Sequence, residues 1–472
     1  MRCLFLVIFV VVLAGCGRPS PPATAAPKTT REYLARYAEL RFTRCTENVL
    51  LRDELFRIEA ESGLPKQFLM ERTHEGNHRA EHALKSITSA AQLNHLDRRL
   101  AYVFPQGEFV VAERHIAEID RLAKDYADLR KELDRFSSAK DWSLDLRFEE
   151  GSLFAAHFVP CIEAAIKLEL TLSGLAMRRG EWQKATEGFQ RTWRSIEVLA
   201  AQPHVESRVL AAKLRTSALK LLESMLGSPS CEVKEVRAFR DLLTQSLIHW
   251  PADDRVWRGE RARALHFFEM IRDGQVLSLA SEELQAAIDD HGGPKDFGIW
   301  LHSHVDADEV YYLENMRRLI QSCDLPFAER DATLSDLQSD LQRLARSDSD
   351  PILTRMMLLT DIEEGMRWQA SDRVHCEVML IALDHAVGES AASAAFTRSP
   401  LTGREYRVSV LQRIIRVDGD SEVGEYGLAI SAPRYDLEVA GAAAELEQIE
   451  PKVKAPARTA PRVSRKPVRK FP

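Results

Sequence analysis

The sequence predicts an all-α fold, a stack of antiparallel helical hairpins that ends in a small β-hairpin unit and a disordered basic tail. Three observations predict it. Apolar residues recur at steps of three and four over most of the chain, the period of one helix face. Breaks rich in Gly and Pro divide that pattern into pieces of about 20 residues, roughly 30 Å each as helices, and short connections make such pieces antiparallel neighbours. Towards the C-terminus the period falls to two at Tyr406, Val408 and Val410, and from Pro451 onward the chain is a Pro/Lys/Arg tail that cannot form a core.

The N-terminal stretch holds Arg2, an apolar run from Leu4 to Val12, and then Leu13-Ala14-Gly15-Cys16. The run is too short to span a bilayer as a permanent helix and has the layout of an export signal. Its last four residues resemble the lipobox of bacterial lipoproteins. That resemblance implies a cut before Cys16, a diacylglycerol on its thiol and an acyl chain on its new amine, hence membrane anchoring of the palmitate-bearing kind. Several chains together hold a protein on a membrane far better than one. Gly17 follows the cysteine where inner-membrane retention would call for Asp, so the outer membrane, in a cell that has one, is the expected home. Residues 16–30 then form a tether with Pro19, Pro21, Pro22 and Pro27. With polyproline II character it reaches on the order of 40 Å at about 3.1 Å per residue.

Residues 31–150 read as an N-terminal helical region. Tyr33, Tyr37, Leu40 and Arg44 fall along one side of a helix that Gly63-Leu64-Pro65 ends. Lys66 to Tyr102 reads as one or two further helices, and Phe109 to Phe136 as another, with Ile116, Ile119, Ala123, Tyr126 and Leu133 on its apolar side. Residues 151–250 carry the strongest pattern. Ala165, Leu168, Leu172 and Leu175 make one stripe, with Arg178 and Arg179 in the last turn and Gly180 as a left-handed cap. Trp182, Ala185, Phe189, Trp193, Ile196 and Ala200 make a second, which Gln202-Pro203 stops, and Ala211, Leu214, Ala218, Leu221 and Met225 a third, which Gly227-Ser228-Pro229 stops.

Gly180, Trp182, Ala185 and Phe189 have the spacing of the central tetratricopeptide signature, and over about one repeat this hairpin resembles that family. The resemblance implies a turn made by Gly180, a close approach of two helices at Ala185 and a gap filled by Phe189. Thr192, Glu197, Glu169 and Ala176 depart from the family pattern, which prefers Ala, Pro, Trp and Tyr there. An ordinary helical hairpin with a tight turn would use the same residues, and both readings give one fold class.

Residues 251–390 form a C-terminal helical region, with helices expected over Asp253–Arg272, Asp306–Ser322, Phe327–Arg346 and Ile352–Val387. The methionines of the last are core filler at helical spacing. Residues 400–432 hold the β unit, too small to stand alone. Subtracting Arg2 takes the formal net charge from −7 to −8, and removing the eight Lys and Arg of 451–472 leaves −16 for residues 16–450. An acidic body carries a basic tail. The tail can meet an anionic polymer or lipid, but it has no interleaved aromatics for base stacking and implies no specific nucleic-acid recognition.

Seven cysteines are present, of which Cys45, Cys161, Cys231, Cys323 and Cys376 remain after Cys3 and Cys16 are set aside. They are scattered singly with no Cys-x-x-Cys, so they read as buried apolar residues on helices. His74-Glu75-Gly76-Asn77-His78 matches the His-Glu-x-x-His of zinc peptidases, in which two imidazoles one turn apart hold the metal and the Glu polarises its water. His82 lies about 12 Å further along a helix, too far to share the ion. No downstream motif supplies a third ligand, and Arg72, Thr73, Arg79 and Glu81 describe a wet face. His302-Ser303-His304 with Asp306 and Asp308 reads as a helix start with Asp caps, or as a metal-holding loop. His291-Gly292-Gly293 has the look of an esterase oxyanion loop, but no Gly-x-Ser-x-Gly elbow occurs, nor any phosphate-binding or dinucleotide-binding glycine loop.

The expectation is therefore a lipid-anchored envelope protein whose helical scaffold meets another protein. The alternatives are a zinc hydrolase using His74, Glu75 and His78, and anchoring to an anionic polymer through residues 451–472. No cofactor is expected.

Overall fold

The computed structural model describes residues 48–65, 67–68, 95–96, 98–101, 111–138, 148, 158–228, 230–272, 285, 288–345, 351–358, 362–388, 393–411, 414–418 and 427–431. All belong to the unit Met1–Pro433; the second unit, Arg434–Pro472, lies outside them. Most of the described residues are helical.

In chain order the helices are α1 (Val49–Ala60), α2 (Ile116–Asp125), α3 (Ala127–Ser137), α4 (Phe158–Arg178), α5 (Trp182–Ala200), α6 (Val205–Leu226), α7 (Val233–Ile248), α8 (Asp253–Arg272), α9 (Pro294–Ser322), α10 (Phe327–Leu344), α11 (Ile352–Leu358) and α12 (Ile362–Val387). Three short strands, β1 (Arg407–Leu411), β2 (Ile414–Asp418) and β3 (Gly427–Ser431), pair antiparallel in the order β1-β2-β3, with Leu411 opposite Ile414 and Asp418 opposite Gly427.

Local chemistry sets the ends of these elements. The Asn48 side chain accepts the Leu51 N–H at 3.1 Å and starts α1. Glu232 and Glu235 form a reciprocal capping box on α7. Gly180 has φ of 74°, and the Glu181 and Gly180 N–H groups donate back to the Ala176 and Met177 carbonyls at 2.9 and 3.0 Å. That is a Schellman closure, and it turns α4 back into α5.

The α4–α5 hairpin is the heart of the packing. α4 is apolar on two faces because it is covered twice: Ile162, Ala165, Ile166 and Leu170 enter the main core, while Cys161, Ala164, Leu168 and Leu175 join a smaller cluster with Ile119 and Leu122 of α2. On α5, Phe189 meets Phe239 of α7 edge-on at 5.2 Å, and Trp193 follows it into the same core. α4 packs on α5, α5 on α6, and α6 on α4. The next sequential helix does not continue that order. α12, from the far end of the chain, lies against both α6 and α7.

Gly259 makes one close approach feasible. A Cβ there would sit 1.8 Å from the Pro203 carbonyl oxygen, so α8 crosses the α5–α6 turn backbone to backbone.

Several expected boundaries move. The stretch Phe109–Phe136 is not one helix: a short 3-10 turn at Glu113–His115 leads into α2, and the chain breaks at Tyr126 before α3. The helix expected from Asp306 starts at Pro294 instead, because Pro at the first position follows two glycines and nothing between Pro294 and Ser322 breaks the pattern. The stretch Ile352–Val387 contains two helices, α11 and α12, which pack on different partners, α11 on α9 and α12 on α6 and α7.

Candidate functional site

Arg208 and Arg215 are two turns apart on α6 and therefore point the same way. Both are buried, at 2% and 1% exposure. Arg215 donates to the Asp372 carboxylate of α12. Arg208 bridges two acids: its Nη1 is 3.7 Å from Asp372 Oδ2 and its Nη2 is 3.7 Å from Asp253 Oδ1 at the start of α8. The other Asp253 oxygen accepts from Arg330 Nη2 of α10 at 3.0 Å. The result is a ladder of alternating charge, Arg215, Asp372, Arg208, Asp253, Arg330, drawn from four helices.

Burial and attraction pull the two α6 guanidiniums in opposite directions. Burial lowers Arg208 below the ordinary arginine value, and Asp372 and Asp253, too far for hydrogen bonds, do not restore it. Burial acts on Arg215 in the same sense, but the hydrogen-bonded Asp372 outweighs it and holds that group above the ordinary value. Arginine stays protonated in either case.

Trp250, in the connection between α7 and α8, lies against both guanidiniums, 4.9 Å from Arg208 and 4.8 Å from Arg215. Cation–π contacts of this kind contribute about 0.5–2 kcal/mol, more when dry. Trp193 carries the network onward, donating from its indole to Ser246 Oγ at 2.5 Å, and Ser246 donates in turn to Glu197.

The ladder ends at a cavity of about 360 Å³. Trp250, Asp253 and Arg330 line it together with Arg373 and Glu377 of α12 and the loop around Ser399. Arg330 fixes the α9–α10 connection by donating to the Leu325 and Cys323 carbonyls at 2.7 and 2.5 Å. The loop is held by α10: the Phe327 and Ala328 N–H groups, orphans of that helix start, donate to the Pro400 and Leu401 carbonyls at 2.9 Å each. Glu377 accepts from Tyr406 Oη at 2.7 Å and from Arg373 Nε at 2.8 Å, and burial raises its carboxyl above the ordinary value.

The residues singled out in the sequence fall elsewhere. Cys16, His74, Glu75, His78, His82 and the tail 451–472 lie outside the described residues. His302, His304, Asp306 and Asp308 sit in the middle of α9 and not at a helix start, so they cap nothing of their own helix. Asp308 instead caps α11, accepting the Leu353 and Thr354 N–H groups at 2.9 Å each. Asp306 pairs with Arg272, and His304 Nδ1 is 2.8 Å from the Trp300 carbonyl. Among the described residues no three His, Cys, Asp or Glu side chains are grouped to hold a metal. His291 lies two residues before Gly293, the residue that opens α9, and its ring is 4.5 Å from the Trp300 ring. Cys161, Cys231, Cys323 and Cys376 are buried, and no disulfide joins them.

The charged ladder was missed by sequence reasoning, although a signal existed. Arg208, Ala211, Arg215, Ala218 and Leu222 step by 3, 4, 3 and 4 along a face that shares Ala211 and Ala218 with the Leu214–Leu221 stripe. A helix apolar around most of its girth that carries arginines on one of those faces must bury them against acids.

No family model matches the chain, and no curated protein and no solved structure matches it. Among the described residues no helix is long and apolar enough to cross a membrane.

Proposed function

We propose that this chain is a lipid-anchored cell-envelope protein whose helical body holds another protein at the membrane surface. The observation that carries the reading is Leu13-Ala14-Gly15-Cys16 at the end of an apolar run too short to span a bilayer, followed by a Pro-rich tether. Lipid on Cys16 supplies the attachment, and the tether stands the body off the bilayer. The mutual packing of α4, α5 and α6 supports a degenerate tetratricopeptide-like hairpin, closed at Gly180 and filled by Phe189, with the C-terminal β unit as an appendage to α12. Stacked hairpins of this kind present extended surfaces to partners. That step is an analogy at the level of fold.

Fractionation of bacterial cells expressing the full chain tests the anchor. The parent chain is expected in the membrane fraction and in the detergent phase on partitioning, and Cys16→Ser in the soluble fraction. Retention of the serine variant in the membrane would refute lipid attachment at this residue.

A further inference from the structure

We draw no further inference here: the strongest candidate, the cavity between the start of α8, α10 and the loop around Ser399, is lined by charges that already pair with one another, Arg330 with Asp253 and Arg373 with Glu377, and its exposed Arg398, Asp324 and Glu329 mix both signs, so nothing in the structure shows what would fill it.

Discussion

Arg215 on α6 and Asp372 on α12 are hydrogen-bonded to one another although 157 residues separate them along the chain, and each is 1% exposed. The contact ties the last long helix to the middle of the hairpin stack. A buried ion pair is poor evidence of net stability, since desolvation of both charges offsets most of their attraction. Its effect is on specificity. An apolar face of α12 could slide along α6, but a carboxylate that must meet both Arg215 and Arg208 fixes one register.

Breaking that pair from one side leaves two buried guanidiniums without their shared acid. Asp372→Ala is expected to destabilise the protein by about 3–5 kcal/mol in urea unfolding. The exposed pair Arg179–Asp120, at 2.7 Å with side chains 39% and 42% exposed, sets the comparison. Asp120→Ala is expected to cost no more than about 1 kcal/mol. Equal costs for the two variants would show that the buried ladder is not what holds α12 in place.

Two glycines separate two kinds of constraint. A Cβ on Gly180 meets nothing within 4 Å, so Gly180→Ala is expected to cost only the left-handed conformation, roughly 1–2 kcal/mol. At Gly259 a Cβ would lie 1.8 Å from the Pro203 carbonyl oxygen and 2.7 Å from its carbon, both backbone atoms. Gly259→Ala must therefore displace α8, and is expected to cost more than the ~1–3 kcal/mol typical of core overpacking. Unfolding midpoints of the two variants side by side decide the matter, and the reverse order would mean that α8 does not cross the turn this closely.

Buried imidazoles make stability depend on pH. Burial holds His204 below its ordinary value of 6.5 against the opposing pull of Glu260 and Glu206, and holds His375 below it against Asp372. The unfolded chain takes up protons on these residues below about pH 6.5 while the folded chain does not, so stability falls as the pH drops below that value. Glu377 and Glu223, whose carboxyls burial raises, act in the opposite sense, so a variant and not the raw slope isolates the imidazole. Between about pH 7 and about pH 5.5 the denaturant midpoint of the parent is expected to fall more steeply than that of His204→Gln. Parallel curves would remove His204 from the account.

The helical hairpin was legible because its punctuation is chemical. Trp182–Ala200 begins after a left-handed glycine and ends ahead of Gln202-Pro203, and the structure places both ends at those residues. The start of α9 was misread because His302-Ser303-His304 and Asp306 look like a polar cap, whereas polar residues alone do not stop a helix that Pro294 has already begun. The break at Tyr126 carries neither Gly nor Pro, so nothing local announces it. The seating of α12 against α6 and α7 was out of reach for a different reason. It depends on which buried charges meet across the chain, and periodicity says only that a face is covered, not by what. The cavity follows from that seating, since Arg373 and Glu377 reach its wall only when α12 lies there.

Lipid attachment at Cys16 is tested most directly by the intact mass of the N-terminal peptide from the full chain purified out of bacterial membranes. A peptide that begins at Cys16 and carries a diacylglycerol on its thiol is expected from the parent chain, and no such peptide from Cys16→Ser. An unmodified peptide, or one that begins at any other residue, would contradict it.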